Sequence, residues 1–311
     1  MVLGGKKWSP PSEEAADEYE KFTVANPAEK LQSLYDGQPG AGSLARTEGP
    51  TSAARRITEA INSETPFSMV RMSDGEGNCL FDYDEYPALK HYILDRISFM
   101  HFGEGSVVPQ NDREFLNMML QAIDTSDVLG VPEPEAIARG YATPPEELDV
   151  RAVVGNRMAA LKVAARGGAY NVASPWVNRQ LLGHYEEIFA GREAVGVISS
   201  HPELGTLMKQ RFRIGNVVEH VIPKQAVFVK FEDRKNSQHY PDVFQKIVDS
   251  IAPIKPGMPY LVSGGLLAKY YCHVIKSRGG VAIDTGSVPE IWLNIPNRGL
   301  SQDYLDQWKW V

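Results

Sequence analysis

One stretch near the carboxyl end of the sequence limits the possible folds more than any other part of the chain. The apolar run Pro259-Tyr-Leu-Val leads through a Ser-Gly-Gly turn into a helical pattern over 266–277, and the chain then returns to the apolar run Val281-Ala-Ile-Asp. A strand, a helix and a second strand within about 30 residues match the size of a right-handed βαβ crossover. The stretch therefore predicts an α/β fold in which these two strands lie parallel.

The glycine turn inside this unit has two interpretations. The backbone amides of Ser263, Gly264 and Gly265 could hold a diphosphate at the start of the helix, or the glycines could let the strand and helix pack closely. The full Gly-x-Gly-x-x-Gly spacing is absent, which disfavours a dinucleotide cofactor. Lys269 could reach the diphosphate or lie on a solvated helix face. Asp284 could contact a ribose or sugar hydroxyl, or cap a turn.

A second segment, residues 67–78, carries charged groups directly after a short apolar run. Residues 67–72 predict a buried strand interrupted by Arg71, and we expect a tight polar loop after it. Asp74 and Glu76 are separated by Gly75 and could turn toward one point. Such a pair suits Mg²⁺ or Mn²⁺, which bind one or two carboxylates together with substrate phosphates. From the spacing alone a solvated Asp-Gly turn is favoured. The nearby arginine makes the metal site an equal alternative, because phosphate chemistry needs both a cation and a metal.

Periodicity of apolar residues predicts the remaining elements. Helices are predicted over 12–22, 51–62, 111–123, 151–166 and 241–251, and strands over 126–132, 169–173, 193–199, 217–222 and 226–231. The strand over 193–199 runs into Ser200 and His201, where a following helix could accept a phosphate. His201 could be a base, a phosphate ligand or a helix cap, and the pattern favours the cap. Asp82 and Asp84 form a rival acidic pair without a glycine, which favours a surface segment.

Composition narrows the classes of function. The 311 residues are 43% hydrophobic and 23% charged, as in ordinary soluble globular proteins. A net charge of −7 argues against a general nucleic-acid binder. Cys79 and Cys272 lie far apart without metal-ligand spacing, so we expect a cytoplasmic protein without disulfides. No apolar run approaches the ~20 residues of a membrane span.

The first fifty residues differ in composition from the rest of the chain. They are rich in Glu, Ala, Gly, Pro and Ser and contain several loop signals. We expect residues 1–50 to be an extension, partly disordered or packed as an arm on a partner subunit of a homo-oligomer. Residues 51–311 are expected to form the functional domain.

Two segments of this domain resemble a known family. Ser68-Met-Val-Arg-Met-Ser-Asp-Gly-Glu resembles the Arg-aromatic-Gly-Asp-Gly-Glu signature of the GT-D-fold glycosyltransferases, a bacterial family formerly described as a domain of unknown function. Leu261-Val-Ser-Gly-Gly-Leu-Leu-Ala-Lys and Ala282-Ile-Asp-Thr-Gly are similar to the closing motifs of that family. Met72, Ser73 and Ser287 depart from its usual aromatic, glycine and histidine.

The resemblance implies a single Rossmann-like domain, with a mostly parallel sheet flanked by helices. It implies transfer of a sugar from a nucleotide-sugar donor, first of all a UDP-sugar, to a glycan or glycoprotein acceptor in bacterial surface polysaccharide assembly. Asp74 and Glu76 match the acidic pair that would hold Mn²⁺ or Mg²⁺ or act as base, and Arg71 matches the arginine before it. A metal-dependent phosphohydrolase, which would need a second ligand cluster, and a non-catalytic nucleotide-binding protein are the alternatives.

Overall fold

The computed structural model describes residues 9–80, 85–103, 113–167, 171–225, 239–296 and 300–311, with the backbone of a short antiparallel pair, Val2–Leu3 and Lys6–Lys7. Within these residues a seven-stranded sheet forms the centre of the molecule. Its strands are β1 (Phe67–Arg71), β2 (Val128–Gly130), β3 (Asn171–Ala173), β4 (Ala194–Ser199), β5 (Asn216–Val221), β6 (Pro259–Val262) and β7 (Val281–Asp284).

The strand order is β3-β2-β1-β7-β6-β4-β5, and every neighbouring pair runs parallel. The predicted α/β fold is therefore confirmed, and β6 and β7 are adjacent, as the crossover unit requires. From β1 the chain moves outward through β2 to β3, whereas β7 enters the centre from β6. The carboxyl ends of β1 and β7 thus flank the switch point of the sheet, where open α/β sheets bind their ligands.

Helices cover the sheet. They are α1 (Glu13–Ala25), α2 (Ala28–Asp36), α3 (Pro50–Asn62), α4 (Asp74–Cys79), α5 (Pro87–Phe102), α6 (Arg113–Asp124), α7 (Pro134–Ala138), α8 (Val150–Arg166), α9 (Val177–Gln180), α10 (Tyr185–Phe189), α11 (Leu204–Phe212), α12 (Asp242–Ser250), α13 (Ala268–Ser277), α14 (Val288–Trp292) and α15 (Gln302–Trp308). Among the described residues, the 3₁₀ turns Pro145–Glu147 and Gly265–Leu267 lie between them.

Alternating side chains of each strand enter two hydrophobic cores, one on each face of the sheet. In β1, Phe67 and Met69 belong to one core, whereas Val70 and the following Met72 belong to the other. Both faces are apolar because helices bury both, so the inner strands are continuous hydrophobic runs, whereas the edge strand β5 is largely exposed. Trp310, near the end of the sequence, stacks on the core residue Trp292 with ring centroids 4.0 Å apart.

Residues from the first fifty pack onto the same body. Tyr19, Phe22 and Leu31 are buried in the larger core. The Leu89 amide of α5 donates a 2.7 Å hydrogen bond to the Glu18 carboxylate. Helices α1 and α2 therefore cover α5 and α8 on one face of the sheet.

The segment after β1 differs from its prediction. Residues 74–79 form helix α4, not a polar loop. Ser73 and Glu76 make a capping box, because the Glu76 side chain accepts from the Ser73 amide, and this Ser-x-x-Glu spacing is a known helix-start signal. Helices α5 and α7 were also not predicted. The Asp82–Asp84 pair and the strand over 226–231 lie outside the described residues.

Candidate functional site

A buried chain of alternating charges occupies the switch point. Lys269, in α13, is 2% exposed, and its Nζ lies 2.7 Å from Asp284 Oδ2 and 2.8 Å from Glu76 Oε1. Arg71 Nη2 lies 3.6 Å from Asp284 Oδ1, and the Arg71 amide donates to the same carboxylate at 3.3 Å. Two cations and two carboxylates from the first and last parts of the domain therefore meet in one network.

Lys269 serves this network and does not extend into solvent. Burial by itself lowers the pKa of the ammonium group, but Asp284 and Glu76 outweigh this effect and raise the pKa above its ordinary value. The ammonium also donates to the Gly265 carbonyl at 3.4 Å. With these three acceptors in contact, Lys269 holds the two carboxylates together, and the predicted solvated helix face is wrong.

Both oxygens of Glu76 are engaged. Oε1 pairs with Lys269, and Oε2 accepts from the amide and the hydroxyl of Ser73, each at 3.0 Å. Burial raises the pKa of this carboxyl, but the opposite effect of Lys269 and then of Arg71 is larger. The pKa of Glu76 is therefore lowered to about 2. Glu76 is therefore a fixed anion that braces the start of α4.

Asp284 is fully buried and closes the turn after β7. Its Oδ1 accepts from the Gly286 amide at 3.1 Å, which is the turn-capping role considered from sequence. Gly286 has φ +50°, and a Cβ there would lie 2.2 Å from Arg71 Nη2. The absence of a side chain at Gly286 thus leaves the place that the Arg71 guanidinium occupies.

Arg71 is also held from the β3 side of the sheet. Its Nη1 donates to the Pro175 carbonyl at 2.8 Å. Asn178 donates to the Thr285 carbonyl at 2.6 Å, and Arg179 Nη2 donates to Ser287 Oγ at 3.0 Å. The segment after β3 and the segment after β7 are therefore fastened to each other around Arg71.

The predicted residues Ser200 and His201 lie further along the same edge, after β4. His201 Nε2 lies 3.7 Å from Glu290 Oε1 of α14, and α11 begins only at Leu204. The favoured helix-cap role is therefore not what its side chain does. Ser200 is half-buried beside it.

The Ser263–Gly265 turn directly follows β6 at the same edge of the sheet. Ser263 Oγ donates to the Gly286 carbonyl at 2.6 Å and so ties β6 to the loop after β7. Gly265 has φ +60°, and a Cβ there would lie 2.4 Å from Gln225 Nε2. At Gly264 the nearest atom to a Cβ is the Ala268 amide, at 3.3 Å. These contacts fit close packing, which was one of the two interpretations of this turn from sequence; the other was phosphate binding.

The two carboxylates of the predicted metal pair differ in their surroundings. Both oxygens of Glu76 contact Lys269 or Ser73. Asp74 is half-buried at the start of α4, with Gly75 beside it. Among the residues the structure describes, no group of three or more His, Cys, Asp or Glu side chains could hold a metal.

Sequence reasoning did not select several residues that the site contains. The partners Pro175, Asn178 and Arg179 lie in a segment without a recognised motif, and only the fold brings them to Arg71. The Ser73–Glu76 capping box could have been predicted from the Ser-x-x-Glu spacing.

In the described part of the chain, no helix is long and apolar enough to cross a membrane.

The sequence matches no family model and no curated protein. The fold is similar to solved glycosyltransferase-fold proteins. One is the highly conserved domain of unknown function 1792, with a distinct glycosyltransferase fold, at 13% identity and a TM-score of 0.47, covering 84% of this chain and 94% of that chain. Another is a glycosyltransferase of the same domain from Streptococcus sanguinis, at 12% identity and a TM-score of 0.41, covering 82% of this chain and 91% of that chain.

Proposed function

We propose that this chain is a glycosyltransferase that moves a sugar from a nucleotide-sugar donor, first of all a UDP-sugar, to a glycan or glycoprotein acceptor. The observation that carries the proposal is the position of Arg71. Its guanidinium is half-buried at the carboxyl end of β1, at the switch point, and is fixed by Asp284 and Pro175. The same arginine and the acidic residues after it form the motif that resembles the GT-D-fold glycosyltransferases.

The leaving nucleoside diphosphate gains negative charge as the bond to the sugar breaks. A fixed cation at that point stabilises the transition state more than the ground state. Arg71 is suited to this role because its fork of donors is held before the substrate arrives. The backbone and carboxylate partners that orient it do not have to reorganise during the reaction.

Asp74 would hold a divalent ion together with the donor phosphates. When bound, such an ion supplies further neutralisation of the leaving diphosphate. Glu76 is the positioning residue of the pair. With a pKa of about 2 and a salt bridge to Lys269, it is a poor general base near neutral pH. Its role is to fix α4 and thereby the backbone that carries Asp74.

Calorimetric titration of UDP, with Mn²⁺ and then with a chelator, tests this proposal on the wild type, Asp74→Ala and Arg71→Gln. Asp303→Ala is the matched control, because Asp303 also lies in the first turn of a helix, α15, but is exposed. We expect UDP binding that needs Mn²⁺ and is weakened by both site variants but not by the control.

The outcomes separate the parts of the proposal. Equal binding with chelator would remove the metal from Asp74 while keeping the donor site. Failure of the wild type to bind UDP, GDP, ADP or CDP, with Mn²⁺ present, would contradict the transferase proposal itself. Release of UDP from a panel of UDP-sugars then identifies the donor sugar.

A further inference from the structure

A tryptophan lies exposed at the same edge of the sheet as Arg71. Several large hydrophobic side chains of the described residues are exposed. Trp176 is the aromatic residue among them, and 46% of its surface is accessible. It follows β3 by three residues and so lies at the carboxyl edge. Exposing an indole ring forgoes a large gain from burial, and such rings are enriched where a partner covers them.

The exposed ring is held in place. The Arg179 guanidinium carbon lies 4.9 Å from the ring centroid, a cation–π distance. The Trp176 amide donates to Ser174 Oγ at 3.2 Å, and that hydroxyl donates to Glu133 Oε1 at 2.6 Å. The segment therefore presents a flat apolar ring that Arg179 and the Ser174 hydroxyl support.

Two guanidinium groups converge beside this ring. Arg71 binds the carbonyl of Pro175, the residue directly before Trp176, and packs against Gly286. Arg179 supports the ring and binds Ser287, the residue directly after Gly286. Arg71 ends β1 and Arg179 lies in α9, so the fold brings the two side chains to the same edge of the sheet. Arginines are suited to phosphate oxygens, which they bind in a bidentate manner.

Buried polar atoms at this point lack partners among the described residues. Asn178 is 1% exposed, and its Oδ1 has no hydrogen-bond partner, although its Nδ2 binds Thr285. Arg71 Nε is likewise buried without a partner. Native proteins usually pair such groups, so these two atoms can accept a hydrogen bond from, or donate one to, a ligand held between the segments after β3 and β7.

We propose that Trp176, backed by Arg179, is the stacking platform for the base of a nucleoside diphosphate whose phosphates lie between Arg71 and Arg179. The inference rests on the proposed function and gives its donor a position. The base lies over the β3 side of the switch point. The transferred sugar and its acceptor then bind on the side of β6 and β4, where Ser263 and His201 lie.

The base is a better occupant of this platform than a sugar ring of the acceptor. Arg71 binds the carbonyl of the residue before Trp176, and Arg179 contacts the ring itself, so one molecule can reach the ring and both charges. A nucleotide carries a flat aromatic ring and phosphates in one molecule, whereas a neutral glycan carries no anion for the arginines. Stacking on an aromatic ring is open to any base, so the platform does not itself select uracil.

Calorimetric titration of UDP with Mn²⁺ present tests the inference on the wild type, Trp176→Ala, Trp176→Phe and Arg179→Gln. Val221→Ala, which shortens a 48% exposed apolar side chain on the outer strand β5, is the matched control. We expect Trp176→Ala to weaken UDP binding about tenfold or more, within the range known for loss of a base–aromatic stack. Trp176→Phe and Val221→Ala should bind nearly as the wild type, and Arg179→Gln should bind more weakly.

Each other result has a distinct meaning. Wild-type affinity in Trp176→Ala would overturn the base platform and leave the transferase proposal standing. Equal losses in Trp176→Ala and Trp176→Phe would also overturn it, because stacking survives in phenylalanine. Unchanged binding by Arg179→Gln would overturn the position of the phosphates. A wild type that binds no nucleoside diphosphate would overturn the proposed function first, which separates the two failures.

Discussion

At the scale of single residues, burial decides what the charged groups of the site can do. Lys269 is predicted from sequence as a diphosphate ligand or a solvated side chain, yet its Nζ contacts two buried carboxylates. Replacing it with methionine would leave Glu76 and Asp284 without their shared cation. Removing one partner of a buried pair typically costs about 3–5 kcal/mol, so urea denaturation should show Lys269→Met destabilised by that amount.

The control for this variant is a lysine in an exposed ion pair. Lys255 Nζ lies 2.9 Å from Glu193 Oε2, but both side chains are largely exposed. Solvent screening leaves such pairs worth roughly 0–1 kcal/mol, so Lys255→Met should unfold almost as the wild type. A small loss in Lys269→Met, similar to that of the control, would show that the network is not the brace described above.

Gly286 permits the position of Arg71, and a methyl group there should disturb it. Gly286→Ala places a Cβ 2.2 Å from Arg71 Nη2. We expect UDP affinity to fall roughly tenfold, the effect of losing a hydrogen bond to a charged group. Calorimetry with Mn²⁺ present measures the change.

Gly191→Ala controls for backbone strain in this comparison. Gly191 has φ +67°, similar to Gly286, but a Cβ there meets nothing within 4 Å. An alanine at either position pays the left-handed penalty of about 1–2 kcal/mol, whereas only Gly286→Ala displaces the guanidinium. Equal UDP affinity in the two variants would disprove a role for the space at Gly286.

The residues of the site were only partly predictable from sequence. Arg71 and Glu76 were expected to lie together because they are close in sequence, and the charge network joins them through Asp284 and Lys269. That these residues and Asp74 bind substrate stays a prediction. The pairing of Glu76 with Lys269 was not predictable, because the two residues lie in different parts of the sequence and meet only through the order of the strands. Trp176 and Arg179 belong to no motif and became visible only through their geometry.

At the scale of elements, α4 shows why a glycine-rich helix escapes prediction. Glycine disfavours a helix by about 1 kcal/mol relative to alanine, and Asp-Gly reads as a turn. Tertiary contact overrides this preference. A Cβ on Gly77 would lie 1.7 Å from the Gly155 carbonyl oxygen of α8, so the helices can cross only because glycines meet there.

Two glycines of α4 should therefore respond in opposite directions to the same substitution. Gly77→Ala forces α4 and α8 apart and should lower the free energy of unfolding by about 3 kcal/mol, the upper part of the range for overpacking. At Gly75 a Cβ would lie 3.4 Å from Leu266 Cδ2, an ordinary contact, so Gly75→Ala should be neutral or stabilise by about 0.5–1 kcal/mol.

Urea denaturation of the two variants measures this difference directly. Both changes add one methyl group to one short helix, so each serves as the control for the other. Equal destabilisation of both variants would show that the lost stability comes from the helix itself and not from its crossing with α8.

At the scale of the whole molecule, the sequence predicted the class of fold but not its switch point. The βαβ unit requires β6 and β7 to run parallel, and they do. Nothing local states that β1 inserts beside β7, since the residues that pair, such as Phe67 and Val281, lie at opposite ends of the domain. That long-range pairing creates the site, because it brings Arg71 to Asp284.

The buried charge network should also make the stability of the whole domain depend on pH. The pKa of Glu76 is lowered from 4.5 to about 2 in the folded protein, because Lys269 and Arg71 outweigh the effect of burial. Between these two values the unfolded chain binds more protons than the folded one, so unfolding is favoured as pH falls. The contribution of Glu76 is therefore fully present above about pH 4.5 and is lost progressively toward pH 2.

Urea denaturation of the wild type and Glu76→Gln from pH 7 to pH 2 isolates this contribution, because glutamine keeps the shape but does not titrate. We expect Glu76→Gln to be less stable than the wild type at pH 7 and the difference to shrink as pH falls below about 4.5. Other carboxylates titrate in both proteins and cancel in the comparison. A difference that stays constant over this range would mean that the carboxylate of Glu76 gains nothing from Lys269, and the network would then be a consequence of packing without a role in holding β1, β7 and α4 together.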